Sequence, residues 1–307
     1  LRRAYARRET GKMTDAEFAD VVRSYVAEVI GEQEAAGLDL VTDGLVHWYD
    51  LVAHPASRLE GVEINGLVRF FDTNTYVRQP EVNGKPTGTF GLAPEYAAAK
   101  TSATKTLKAV VTGPYTLARH SIIKSNGDLG ALALAYAEAL GAELEALDRA
   151  GASYVQIDEP SLLKFPDDAE LVRNVLLRAV ASKGNLKIGL STYFGDATTI
   201  YGEFLKMPAD VLAFDLHYGP GLVDAIVQQG SDRPIALGAI DGRNTKLDDT
   251  ETVARQVDTV MEALGSRGVE EVHLQPSCGL EFLPRDRAKR KLERMREIRD
   301  TISKAGA

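Results

Sequence analysis

The chain has 307 residues and a formal net charge of −8, from 44 acidic and 36 basic side chains. Apolar residues make up 44% and charged residues 26%, a globular balance, in a chain long enough to bury a core without covalent staples. The acidic balance argues against a general nucleic-acid binder, the lone Cys278 excludes a disulfide framework or multi-cysteine zinc cluster, and no apolar run nears the ~20 residues of a membrane span. The expectation is a cytoplasmic protein acting on small molecules, with neither nucleic acid nor membrane as partner, and no signal peptide is visible.

Residues 1–12 form a polar run. Thr14 and Glu17 then give a capping-box signature. Phe18, Val21, Val22, Tyr25, Val26, Val29 and Ile30 follow at helical spacing. Gly37 stops this helix, and residues 38–42 read as a strand. From about 55 to 93 the rhythm breaks. The run 62–71 and the run 76–82, followed by Asn83-Gly84, read as an antiparallel β-hairpin excursion able to lid a barrel mouth. Further strands are predicted at 107–112, 154–157, 186–190, 211–216, 235–240 and 272–274. Helices are predicted near 131–150, 169–182, 199–206, 222–229, 250–264 and 285–304. Gly151, Gly184, Gly230 and Gly268 suit helix C-caps.

Strands alternating with helices imply βαβ units and a parallel sheet. Seven strands at even spacing fit an α/β (β/α)8 TIM-type barrel whose first strand is missing from this chain, as one barrel domain over 1–307.

In such barrels chemistry gathers at the C-terminal strand ends. Here those ends read Asp43-Gly44, Thr112-Gly113-Pro114, Asp158-Glu159-Pro160, Ser191-Thr192-Tyr193, Asp215-Leu216-His217, Asp241-Gly242-Arg243-Asn244 and Gln275-Pro276-Ser277-Cys278. Converging carboxylates point to a small-molecule site. Asp158 and Glu159 can hold an amine or act as general acid and base; alternatively Asp158 hydrogen-bonds the backbone of the next loop. Arg243 and Asn244 can bind an anion or cap a helix. Cys278 is either a small hydrophobe or a ligand, with Asp215, His217 and His273 as the nearest co-ligands. Alternation places His217 on the same side as Asp215, so it joins Cys278 only if its ring turns inward.

Taken together, Val155-Gln156-Ile157-Asp158-Glu159-Pro160, Val111-Thr112-Gly113-Pro114, Phe71-Asp72-Thr73-Asn74-Thr75-Tyr76, Ser191-Thr192-Tyr193-Phe194, Asp241-Gly242-Arg243-Asn244 and Pro276-Ser277-Cys278 resemble the cobalamin-independent methionine synthases, nearly end to end and in order. That family pairs two related barrels, and this chain covers one. Trp48-Tyr49-Asp50, Phe71 to Tyr76, Thr192-Tyr193-Phe194 and Gly242-Arg243-Asn244 make it most like the N-terminal barrel. The resemblance implies methyl transfer from a methyltetrahydrofolate-type donor to the homocysteine thiol, without cobalamin. It also implies a zinc that favours the thiolate. At the family's four zinc-ligand positions stand Ser191, Tyr193, Asp215 and Cys278: two replaced, one changed conservatively, one kept. A substrate-binding glutamate position holds Leu45.

The expected function is therefore that of an S-methyltransferase. Asp158 and Glu159 are its catalytic candidates. Asp43, Trp48, Ser191, Tyr193, Asp241, Arg243 and Asn244 are substrate-binding candidates, and Asp215, His217 and Cys278 metal candidates. The alternative is a non-catalytic folate-binding or scaffold barrel with a degenerate zinc site, working beside a separate catalytic barrel. A third reading is a barrel lyase or decarboxylase.

Overall fold

The structure is a computed structural model that describes residues 1–124 and 127–305. In chain order the first elements are α1 (Arg2–Glu9), α2 (Asp15–Ala35), β1 (Leu40–Val41), α3 (Ala53–Ala56), β2 (Glu60–Arg69), β3 (Tyr76–Thr87), α4 (Ala93–Lys100) and β4 (Thr106–Thr112). Next come α5 (Pro114–Arg119), β5 (Ile122–Ile123), α6 (Leu129–Arg149), β6 (Tyr154–Asp158), α7 (Ser161–Lys164), α8 (Ala169–Val180) and β7 (Lys187–Thr192). The chain continues through α9 (Tyr201–Phe204), β8 (Val211–Asp215), α10 (Leu222–Gln229), β9 (Ile235–Ile240), α11 (Thr250–Gly265), β10 (Val272–Pro276) and α12 (Arg285–Ala305).

Seven strands form one parallel sheet in the order β1-β4-β6-β7-β8-β9-β10. Each strand connects to the next through a helical crossover, as in a (β/α)8 barrel. β1 and β10 are the edges of this sheet and do not pair with each other among the described residues. The register aligns the strand ends: Thr112 lies opposite Asp158, and Asp158 opposite Ser191. One end of the sheet therefore collects the polar residues.

The helices form because their apolar stripes match the outer face of the sheet. Thr14 caps α2, accepting from the Glu17 amide, while Glu17 returns to the Thr14 amide, as the capping box predicts. Asp128 caps α6 through the Ala131 amide, and Leu132, Tyr136, Leu140, Leu144 and Leu147 bury one stripe. Gly151 and Gly268 take positive φ after α6 and α11, where a side chain would be strained. A large apolar core lies between sheet and helices. A second, small one sits inside the sheet's curl, where Leu40 packs against Tyr154, Val211, Ala213 and Ala236. These mostly small residues fill only part of the interior.

The excursion predicted from about 55 to 93 is present as β2 and β3, which pair antiparallel. Its turn lies elsewhere than expected. The chain reverses at residues 70–75, where Thr73 ties back to the Phe70 and Thr75 carbonyls. Asn83-Gly84 sits inside β3, opposite the register shift between Glu60 and Val62, with Gly84 at φ +91°. The positive φ that favours Asn-Gly in a turn here serves a bulge. β5, which the sequence reading lacks, adds to β3 in parallel. The polar run at 1–12 is largely the helix α1, and the helix expected at 199–206 is a 3-10 turn running into the short α9.

Candidate active site

Between the edge strands β1 and β10, and reaching into the sheet's curl, is a cavity of about 470 Å³ that α2 and α12 also line. Lys108, Gln156, Asp158, Tyr193, Cys278 and Glu281 are among its polar lining. Leu51, Leu274, Leu283, Leu292 and Met295 are among its apolar lining. An apolar cleft with a few convergent polar groups is the usual form of a small-molecule site.

Strand alternation places the polar residues. Gln156 and Asp158 are two apart on β6 and share its inner face. Lys108 lies opposite Tyr154 in the register, one inward step below Gln156, and its long stem reaches upward. Lys108 Nζ donates to Gln156 Oε1 at 2.6 Å. Gln156 Nε2 donates to Asp158 Oδ1 at 2.7 Å, and the Tyr193 hydroxyl to Asp158 Oδ2 at 3.2 Å.

Electrostatics follow from enclosure. Burial raises the Asp158 carboxyl to about 6, against the lowering effects of Gln156, Lys108 and Tyr193. Burial lowers Lys108 to about 8, with the Asp158 charge opposing it. Glu281 is raised to about 7 by burial and by the Asp158 charge. The Glu281 side chain nonetheless remains exposed to solvent at the edge of the cavity. Burial, then the Glu281 and Asp215 charges, push the Cys278 thiol far up, so it stays protonated.

Of the two catalytic candidates, only Asp158 faces the cavity. Glu159 is fully buried and turned the other way, towards α5. Its carboxylate accepts from the Tyr115 amide at 2.9 Å, the Thr116 amide at 2.8 Å and the Thr116 hydroxyl at 2.7 Å. The capping role weighed for Asp158 thus falls to its neighbour, because adjacent strand residues point to opposite faces. A Cβ on Gly113 would overlap the Glu159 carboxyl. Gly113→Ala is expected to destabilise the protein by about 1–3 kcal/mol, the cost of overpacking, in a urea or thermal melt.

The other candidates are dispersed. Asp43 and Trp48 line a separate small pocket with Glu95 and Lys108, and Trp48 stacks on His54 at 4.9 Å between centroids. Ser191 is buried, and its carbonyl accepts from the Glu159 amide. Tyr193 lines the cavity. Asp241 Oδ1 accepts from the Arg243 and Asn244 amides, and Asn244 Oδ1 from Lys246, so both carboxyl and amide shape their own loop. Arg243 reaches across to the hairpin, 3.0 Å from Asp72, and lies over the Phe194 ring at 5.0 Å. This latch holds the excursion to the strand ends, the lid position expected from the sequence.

The donor set does not fit zinc as placed. Among the described residues no group of three or more His, Cys, Asp or Glu side chains is arranged to hold a metal. Asp215 accepts from the His217 amide at 2.8 Å and the Phe194 amide at 3.4 Å. The inward turn required of His217 is not made. Its Nε2 lies 3.1 Å from the Ala239 carbonyl and 3.6 Å from Asp248.

Sequence reasoning missed Lys108, Gln156 and Glu281. Parity carried a signal for the first two: each is a polar residue inside an otherwise apolar strand, and Gln156 is in phase with Asp158. Glu281 lies after β10 in a 3-10 turn, where no periodicity points.

Comparisons with known proteins agree with this architecture. Residues 1–301 match the family model described as cobalamin-independent synthase, catalytic domain. The methionine synthase of Saccharolobus solfataricus is 30% identical, covering 100% of this chain and 93% of that protein. That of Pyrococcus furiosus is 27% identical, covering 100% and 91%. A B12-independent methionine synthase from Shewanella sp. W3-18-1, solved in complex with selenomethionine, superposes with a TM-score of 0.83 at 19% identity, over 96% of this chain and 91% of that one. The putative enzyme from Listeria monocytogenes gives 0.75 at 19% identity, over 98% and 93%. The motifs, the curled parallel sheet and the end-to-end match agree: the chain belongs to the cobalamin-independent methionine synthase family.

Proposed function

We propose that this chain, acting as one barrel unit in the cytoplasm, transfers a methyl group to the homocysteine thiol from a methyltetrahydrofolate-type donor. The observation that carries this is Asp158, a carboxylate at a strand end facing a cavity of small-molecule size. It supplies the counter-charge for an amino acid's ammonium. The matched family description, a catalytic domain, supports turnover over a scaffold role. Selenomethionine in the Shewanella protein is an analogue of the expected product.

In this reading Asp158 binds the acceptor's ammonium and Tyr193 fixes the carboxylate's orientation. Glu281, held near 7, takes the thiol proton. The sulfur lone pair then bonds the methyl carbon as the carbon–nitrogen bond of the donor breaks, its electrons remaining on nitrogen, which takes up a proton from the protonated Glu281 or from water, so that the products are the thioether and the secondary amine.

The test is incubation of the purified chain with L-homocysteine and methyl-labelled methyltetrahydrofolate, as mono- and triglutamate. Labelled methionine is the expected product, and Glu281→Gln is expected to lower its rate by about 10²-fold or more. The replaced zinc positions favour one second reading, the folate-binding scaffold. Tight donor binding with no labelled methionine would support that instead.

A further inference from the structure

We propose that Asn65-Gly66, on the outer strand of the lid hairpin, is a self-modification site. The Gly66 amide nitrogen closes on the Asn65 side chain, ammonia leaves, and water converts the ring to aspartate and isoaspartate. The inference stands apart from the methyl-transfer reading and uses no part of the cavity.

The backbone at this point is free to bend. β2 is the outer strand of the three-stranded sheet β2-β3-β5 and pairs on one side only. The register shift between Asn65 and Leu67 leaves Gly66 without a partner residue on β3. Gly66 has φ +61°, where glycine pays no steric cost, and a Cβ built there would meet nothing within 4 Å. Asn65 and Gly66 are both exposed, so water reaches them.

The side chain is held for attack. Asn65 Oδ1 accepts from the Gly66 amide at 2.8 Å, which folds the side chain back over the following peptide. That bond sets the Asn65 Cγ beside the Gly66 nitrogen, the near-attack arrangement that ring closure needs. Asn65 Nδ2, the departing nitrogen, donates to Glu81 Oε1 at 3.1 Å. Glu81 is in turn 3.1 Å from Lys124 through its other oxygen. The amide is therefore fixed at both ends.

The chemistry needs only water. The Gly66 N–H gives its proton to solvent base, and the nitrogen bonds Cγ. The Cγ–Nδ2 bond breaks, and nitrogen leaves with its electron pair and a proton from water, as ammonia. This closes a five-membered imide. Water then adds to one of the two imide carbonyls. Opening at Cγ gives aspartate, and opening at the main-chain carbonyl gives isoaspartate. Either product places a new carboxylate beside Glu81, which already faces Glu63 across the strands. Like charges opposed on a ribbon destabilise it. The ribbon carries the 70–75 turn, so the lid loosens as the protein ages.

Asn83-Gly84 is the internal control. It is also exposed, and its glycine also has positive φ, at +91°. Asn65 follows Ile64 and Asn83 follows Val82, both β-branched, so the intrinsic rates of the two dipeptides are close. The fold separates them. β3 is the middle strand of its sheet, and among the described residues the Asn83 side chain has no hydrogen bond to the Gly84 amide.

The test is incubation of the purified chain at mildly alkaline pH, folded and in guanidinium chloride, followed by peptide mapping with mass spectrometry. The readout is the rate at which each asparagine peptide gains the mass of one deamidation, with aspartate and isoaspartate forms resolved by chromatography. Asn126-Gly127, partly outside the described residues, is read on its own peptide. In the folded protein Asn65 is expected to react at least tenfold faster than Asn83, with isoaspartate among its products. In guanidinium chloride the two rates are expected to agree within about twofold. A smaller folded ratio overturns the assignment. So does a ratio that persists in denaturant, because sequence and not the folded geometry would then set it.

Discussion

Asp158→Asn is expected to weaken L-methionine binding roughly 30- to 4,000-fold, the 2–5 kcal/mol typical of truncating one partner of an enclosed charge pair. The loss arises because the asparagine keeps the shape and the Gln156 contact but offers the ammonium no counter-charge. A pH series gives an independent readout. Asp158 must be ionised to hold an ammonium, and its carboxyl sits near 6. The ligand's ammonium stays protonated below pH 7, and Lys108, near 8, stays charged there too. Affinity is therefore expected to rise about tenfold per pH unit up to about 6 and then level off. In Asp158→Asn that rise disappears. A wild-type affinity flat from pH 5 to 7 would remove Asp158 from the acceptor site.

Much of this was legible before any coordinates. The short apolar runs and the glycines after helices mark the strands, because a parallel sheet covered by helices is apolar on both faces and each crossover helix must end before the next strand. The strand ends were legible as a group, since the sheet's register brings Thr112, Asp158 and Ser191 to one level. Which carboxylate faces the cavity was not assigned. Asp158 and Glu159 are chemically alike and adjacent, and the one-residue parity of a strand separates a cavity carboxylate from a helix cap. Likewise Asp241 and Asn244 read as ligand groups by type, but their oxygens bond amides two or three residues away, a local choice that competes with any ligand. The Arg243–Asp72 contact joins residues 171 apart in sequence, and nothing local announces it.

The second large effect concerns a fully buried lysine outside the cavity's polar wall. Lys291 on α12 lies 2.8 Å from Asp248, which is almost as deeply buried. The other Asp248 carboxylate oxygen accepts from the Asp241 amide at 3.1 Å. Arg294 adds bonds to the Asp248 carbonyl and the Thr250 hydroxyl, at 2.8 and 2.9 Å. Together these clamp the loop after β9 onto α12, and that loop carries Arg243. Lys291→Met keeps the stem's packing but leaves the Asp248 carboxylate enclosed without its cation. The expected cost is about 3–5 kcal/mol, the usual penalty for halving a buried pair. Adding Asp248→Asn removes the orphaned charge while keeping an oxygen for the Asp241 amide, so the double variant is expected to regain most of that loss. Denaturant melts of the two variants check this: a single variant within 1 kcal/mol of wild type, or a double variant no better than the single, would sink it. Because the clamp sets the Arg243 loop, the single variant is also expected to loosen the Arg243–Asp72 latch, read as faster proteolysis of the 70–75 turn.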